Sequence, residues 1–286
     1  MSGQNKTWKI LDLLKTTEEL FRNKEISNPR LNAEMLLADT LKTERIKLYI
    51  DFEKPLNENE LEEFRAKVRR RLNNEPIQYI TGKAHFYGLE FCVNPSVLIP
   101  RPETELLVDK TLELVKLKLQ DNLKILEIGT GSGCISISIA ANIKCIIDAI
   151  DISAEAVNTA SENANNNKLT GEVNFLLKNI LNSTLNFSEY DIIISNPPYI
   201  PAGEMQQLDP QIRDYEPANA LTDNSDGLEF YRCIFGLYNI TEHKPAVLIE
   251  IGDGKIDAVE KLLNDYKVRN YTFHKDLLNI YRVLEF

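Results

Sequence analysis

Two short stretches combine residue types suited to chemistry. The first is DIIISNPPYIP, residues 191–201. An apolar run reads as a buried strand and then meets Asn196, Pro197, Pro198 and Tyr199. Proline has no N–H and a fixed φ, so the strand ladder stops, the backbone stays extended and nearby carbonyls are left to accept. The Asn196 side chain offers one acceptor and two donors, and Tyr199 offers a flat aromatic face. These parts suit the holding of a planar –NH₂ group whose lone pair is delocalised. The Asn196 oxygen and a backbone carbonyl such as that of Pro197 would bind its two hydrogens and turn its lone pair toward an electron-poor carbon. Charge developing on the nitrogen would be stabilised by the same acceptors, with orientation supplying most of the effect. The plain alternative is a proline-rich strand exit.

The second stretch is ILEIGTGSGC, residues 125–134. It runs from a strand into a helix start. Gly129, Gly131 and Gly133 allow a sharp turn and close approach of a ligand, with Thr130 and Ser132 between them. The next strand ends at Asp151, where a carboxylate suits the hydroxyls of a ribose. A dinucleotide loop has the spacing G-x-G-x-x-G; here it is G-x-G-x-G followed by Cys134, and Glu127 sits at the strand tip. An acid there repels pyrophosphate and attracts an amine. S-adenosylmethionine has a ribose, an amine and a sulfonium and lacks phosphate, so these residues favour it over a nicotinamide cofactor. A tight structural turn is the alternative.

The elements that must position these stretches follow from periodicity. The first ~75 residues show helical period only: TWKILDLLKTTEELF places Ile10, Leu13, Leu14, Leu20 and Phe21 near one face, and Asn28-Pro29 opens a second helix. Arg65, Lys67, Arg69, Arg70 and Arg71 form a basic cluster, read as a solvated helix face, with an anionic docking patch as the minority reading. QYITGKAHFYGLEFCV turns β-rich and reads as a hairpin. From Leu123 onward apolar strands alternate with helices, which predicts a mostly parallel seven-stranded sheet covered on both faces, a Rossmann-like α/β architecture. The expected division is a helical substrate-recognition domain over residues 1–76, a hairpin linker over 77–100 and a catalytic domain over 101–286. Residues 200–225 lack a clear period, and a loop of that length in a compact domain is usually functional.

The chain has 286 residues and a formal net charge of −10. Residues 1–80 hold 15 Lys+Arg against 14 Asp+Glu, so the excess acid lies in the remainder. That balance disfavours direct nucleic-acid binding, which needs Lys and Arg on phosphates. The four cysteines and three histidines are scattered, without metal-ligand spacing. With no apolar leader at the start and no long apolar run, the expected location is cytoplasmic, without a membrane segment. Three readings stay open at this level: amino-group methyl transfer to a protein amide, the same chemistry on an adenine, and a nucleotide-binding module or oxidoreductase.

The motifs EPIQYITG, VLIPRPETE, EIGTGSG, NPPYIP, YEPANAL and DGLEFYR occur in the order and approximate spacing of the bacterial release-factor glutamine methyltransferases, which this chain resembles from about Asn28 onward. The resemblance implies a class I, S-adenosylmethionine-dependent protein-glutamine methyltransferase, with the glutamine of the Gly-Gly-Gln loop of class I peptide-chain release factors as acceptor. A ribosomal-protein glutamine is the alternative protein substrate. Carried over by motif, Glu127, Gly129 to Gly133 and Asp151 would hold the cofactor. Asn196 would touch cofactor and substrate, and Pro197, Pro198 and Tyr199 would complete the glutamine pocket. Arg101 to Glu105 would line the mouth of the site or close a rigid domain junction. Where family members often show an acid and an aromatic near the adenine, this chain has Asn179 and Ile180. Asn179 would then hydrogen-bond the adenine amine and Ile180 pack on its ring.

Overall fold

The computed structural model describes residues 7–118, 123–182 and 185–286. The sequence also predicts an amphipathic helix over ETELLVDKTLELVKLKL, residues 103–119; its last residue, and residues 1–6 of the start expected to hold no apolar leader, lie outside the described residues. Among the described residues, no helix is long and apolar enough to cross a membrane.

The chain divides into two compact units. One comprises residues 1–82 with 210–215, the other residues 83–209 with 216–286. The first unit contains α1 (Ile10–Asn23), α2 (Pro29–Thr40), α3 (Arg45–Ile50), α4 (Glu58–Leu72) and α5 (Ile77–Thr81). Pro29 occupies the first turn of α2, where its missing N–H costs nothing. Asn57 and Glu60 cap α4 reciprocally. Ile10, Leu13, Leu14 and Phe21 are buried on α1 as their spacing requires, but Leu20 lies off that face and is exposed. The basic cluster on α4 is not a uniform solvated face. Lys67 and Arg71 turn inward; the Lys67 ammonium meets Asp39 at 2.6 Å and Glu63 at 2.7 Å, and the Arg71 guanidinium donates to Asn32 at 2.8 Å. A helix of fifteen residues that must cover a core buries one side whatever its charge, and these two long side chains keep partners there.

Helical structure continues past residue 76 through α5, and the division falls after Gly82. Residues 210–215, far along the chain, join the helical unit, where the Tyr215 hydroxyl donates to the Asn73 carbonyl at 2.7 Å.

The larger unit opens with the antiparallel hairpin β1 (Lys83–Phe86) and β2 (Leu89–Cys92). Then follow α6 (Glu105–Lys118), β3 (Lys124–Ile128), α7 (Cys134–Asn142), β4 (Ile146–Asp151), α8 (Ala154–Asn166), β5 (Val173–Leu177) and β6 (Ile192–Ser195). The short helices α9 (Pro210–Arg213), which lies in the segment assigned to the helical unit, and α10 (Ala218–Leu221) interrupt the long loop. The chain closes with α11 (Glu229–Ile240), β7 (Ala246–Glu250), α12 (Ile256–Asp265), β8 (Thr272–Lys275) and β9 (Tyr281–Glu285). The seven-stranded sheet has the order β5-β4-β3-β6-β7-β9-β8. Its first five strands run parallel, and β9 is antiparallel to both β7 and β8. Ile125, Ile192 and Leu248 pack into one apolar cluster, Leu126, Ile193 and Val247 into another. Alternate residues of the same strands thus feed two cores, which is why β3, β6 and β7 read as continuous apolar runs.

The sheet order decides where chemistry can occur. Chain order reverses between β3, which leads to β4, and β6. In an open α/β sheet a ligand crevice forms beyond the carboxyl ends of strands at such a switch point. The tips of β3 and β6 carry Ile128 and Ser195, each followed by a motif singled out above, and β4 ends on Asp151.

Candidate active site

A cleft of about 990 Å³, its open mouth included, lies at those strand tips. Gly129, Thr130, Gly131 and Ser132 form one wall, Asp151 follows from β4, and Asn179 and Ile180 follow β5. Asn196 and Pro198 line it from the exit of β6. Of the residues singled out from sequence, Glu127, Gly133, Pro197 and Tyr199 do not line it, and of the Arg101 to Glu105 stretch only Arg101 and Thr104 do.

Gly133 acts from behind the wall. Its φ of +79° is the left-handed region, and a Cβ there would come within 2.9 Å of Ile137 Cδ1 and 3.1 Å of Ala160 Cβ. The loop can turn onto α7 only because this position has no side chain. Glu127 braces the loop. It is fully buried; its Oε2 accepts from Thr130 Oγ1 at 2.8 Å and from the Ser136 hydroxyl, while Oε1 has no partner among the described residues. Burial pushes its carboxyl up to about 7 against the pull of those hydroxyls.

The loop spends its own donors. The N–H groups of Gly129 and Thr130 both reach the Ile150 carbonyl, at 2.9 and 3.0 Å, and Gly133 N–H reaches Thr130 O at 2.8 Å. Gly131 N–H donates to Asp151 Oδ2 at 2.9 Å. A phosphate cradle needs such groups free and convergent. The donor set therefore fits a ligand without phosphate. Asp151 Oδ1 holds Ser153 N–H at 2.9 Å; each carboxylate oxygen keeps further lone-pair capacity for a ribose hydroxyl. Asn179 Oδ1 accepts from Leu181 N–H at 2.9 Å, which fixes that turn.

The exit of β6 is anchored beside the glycine loop. Ser195 Oγ donates to the Ile128 carbonyl at 2.8 Å, and a Cβ on Gly129 would lie 3.9 Å from the Asn196 carbonyl oxygen. The residues after the prolines pair with the 221–225 segment through Ile200 N–H to Leu221 O and Ala202 N–H to Ser225 O. Asn196 Nδ2 donates to Thr104 Oγ1 at 3.1 Å. That places a residue of the RPETE stretch directly behind the asparagine. Arg101 lines the cleft mouth and pairs with buried Glu216 at 2.6 Å, so the mouth and the ion-pair roles of this stretch coexist.

Tyr199 is not among the residues that line the cleft. Its ring packs on Gly252, and burial pushes its hydroxyl up to about 12. Sequence reasoning placed Thr104 only within the Arg101 to Glu105 stretch at the mouth of the site, and it did not single out Glu250 or Phe230. Phe230 lines the cleft from DGLEFYR. Glu250 ends β7 fully buried, with its carboxyl raised to about 7 by burial. An acid closing the apolar run PAVLIE is a signal of the same kind as Glu127 closing KILE.

A parallel sheet with this strand order, a glycine loop with all three of its glycine N–H groups spent internally and an acid at the tip of β4 define a Rossmann-like methyltransferase domain. Residues 104–210 match the family described as the methyltransferase small domain, and residues 12–82 match the PrmC N-terminal domain. The hMettl16 catalytic domain, solved in complex with an RNA hairpin, shares the fold with a TM-score of 0.57 over 70% of this chain and 76% of its own, at 16% identity. The release factor glutamine methyltransferase of Chlorobaculum tepidum is 42% identical over 81% of this chain and 81% of its own length. That of Bacillus subtilis is 41% identical over the same shares. The chain belongs to the release factor glutamine methyltransferase family.

Proposed function

We propose that this protein transfers a methyl group from S-adenosylmethionine to the side-chain amide nitrogen of the glutamine in the Gly-Gly-Gln loop of a class I release factor. The observation that carries the reading is the placement of Asn196: its amide lines the same cleft as the glycine loop and Asp151, with Nδ2 turned back onto Thr104. With Nδ2 engaged, Oδ1 is the atom left to accept from an incoming –NH₂ group.

When bound, the cofactor supplies a methyl on a cationic sulfur, which needs no strong base to leave. Asp151 would take its ribose hydroxyls, and Asn179 and Ile180 would flank its adenine. The loop beside Glu127 would face its amine end, with the buried Glu127 carboxyl holding that loop through Thr130 and Ser136. Asn196 Oδ1 and the Pro197 carbonyl would each take one hydrogen of the glutamine amide. That turns the nitrogen lone pair out of conjugation and toward the methyl, and it stabilises the positive charge that develops as the new N–C bond forms. One of those hydrogens then leaves as a proton. Tyr199, its ring packed on Gly252, would close the pocket against the glutamine side chain. The helical unit, residues 1–82 with 210–215, is read as the substrate-recognition part.

The test is incubation of the full chain with labelled S-adenosylmethionine and a class I release factor, followed by peptide mapping. Label on the Gly-Gly-Gln glutamine, lost when that glutamine is replaced by glutamate, is expected. Label on a ribosomal protein or on adenine in nucleic acid instead would overturn the assigned substrate.

A further inference from the structure

The Asn196 amide is useful to an incoming amine in one of its two flips only. Thr104 Oγ1 is its neighbour at 3.1 Å, and a hydroxyl can donate or accept. Nothing in the Asn196–Thr104 pair alone selects the flip. In the β6–β7 register Ser195 pairs with Ile249, so Glu250 at the end of β7 is the strand neighbour of Asn196; its carboxylate is buried, with Oε2 lacking any hydrogen-bond partner among the described residues. Both Thr104 and Asn196 lie close enough to it to favour its ionised form.

We infer that Glu250 is a positioning residue that sets the direction of a Glu250–Thr104–Asn196 hydrogen-bond chain. An ionised carboxylate can only accept. It claims the single hydroxyl hydrogen of Thr104, so toward Asn196 the threonine oxygen can only accept in turn. Asn196 must then present Nδ2 inward and Oδ1 to the cleft. Thr104 and Glu250 are both buried. The RPETE stretch thus carries a role in the site through its threonine, besides the Arg101–Glu216 pair.

The chain reverses when Glu250 gains a proton. A protonated carboxyl donates to Thr104, frees the threonine hydrogen for Asn196 Oδ1, and turns the useful acceptor inward. The groups facing Glu250 are Glu103 from the turn before α6, Arg282 from β9, and the Cys134, Tyr199 and Tyr231 side chains, the Tyr231 hydroxyl donating to the Glu250 carbonyl at 2.7 Å. Burial is the largest influence, Arg282 favours the ionised form and Glu103 opposes it, leaving the carboxyl near 7. Turnover therefore rises with pH across neutrality.

The inference rests on the proposed glutamine transfer for its kinetic readout and on Asn196 itself for a second. In the full-length protein with isotope-labelled asparagine side chains, the Asn196 –NH₂ resonances should move as pH crosses neutrality. Glu250→Gln, equal in volume, should abolish that titration. It should also lower kcat at least tenfold, remove the rising pH limb and leave cofactor affinity within about twofold. Thr104→Val should reproduce these effects, and Thr104→Ser should keep at least tenfold more turnover than Thr104→Val. Wild-type kcat with a wild-type pH profile in Glu250→Gln, or an Asn196 resonance indifferent to that substitution, overturns the inference. If the wild type methylates no release factor, the function reading fails, and the Asn196 resonance still decides the inference.

Discussion

The Tyr199 ring lies against the bare Cα of Gly252: a Cβ at residue 252 would stand 2.6 Å from Tyr199 Cδ2 and 3.0 Å from Cε2. The aromatic of the NPPY stretch is therefore set by a loop that follows β7, fifty-three residues further along the chain. The contact is at the ring itself rather than at the tip of a flexible side chain, so a methyl group there cannot be absorbed by a small rotation.

Gly252→Ala should displace the Tyr199 ring. Overpacking of this kind costs about 1–3 kcal/mol in stability, and turnover should fall at least tenfold while cofactor affinity changes little. Thermal unfolding and steady-state kinetics check this together; an unchanged kcat would show that the ring position does not matter to the reaction.

Asn196→Ala removes the acceptor aimed into the cleft. By analogy with the loss of one preorganised transition-state partner, kcat should drop roughly 10²–10³-fold. Calorimetric titration with S-adenosylmethionine should show affinity within a few-fold of the wild type. A variant that turns over normally would contradict the amide-orienting role.

Glu127 carries a pH dependence of stability with a definite sign. Its folded-state carboxyl sits near 7, above the usual 4.5, because burial disfavours the charge. The unfolded chain thus releases this proton first, and the stability contributed by the protonated group is present below about 4.5 and lost as pH rises to 7. The full loss is of order 3 kcal/mol. Glu127→Gln should match the wild type in thermal stability near pH 4 and exceed it near pH 8. Parallel melting curves across that range would reveal equal pH slopes if the carboxyl is not buried as described.

Arg101 and Glu216 should be strongly non-additive. The Glu216 side chain is almost fully buried and one of its oxygens, Oε2, has no partner among the described residues, so Arg101 is its main support. Arg101→Ala leaves that charge stranded and should cost roughly 3 kcal/mol. Adding Glu216→Gln should recover part of the loss. A double variant less stable than Arg101→Ala would mean that the pair does not act as a unit.

Much of the larger unit was legible in the chain itself. Apolar runs of five or so residues alternating with amphipathic helices leave few options besides a covered parallel sheet, and a glycine loop between strand and helix marks its ligand edge. The signal is local: periodicity, turn residues and an acid at the end of a strand act within ten residues of one another. So Gly129 to Gly133, Asp151, Asn196 and Pro198 could be marked out from the residues themselves, while Asn179 and Ile180 came only from the family resemblance. All of them, apart from Gly133 at the rear, line one cleft.

Tertiary structure decided whatever depends on partners distant in the chain. Thr104 stands behind Asn196 across ninety-two residues, and Gly252 sets Tyr199 across fifty-three. Residues 210–215 joined the helical unit although the surrounding sequence belongs to the other. Lys67 and Arg71 turned inward against a charge pattern that reads as solvated, because carboxylate and amide partners on α2 waited there. Local propensity cannot carry such information. It arises when strand order brings β3, β6 and β7 side by side and their ends meet in one place.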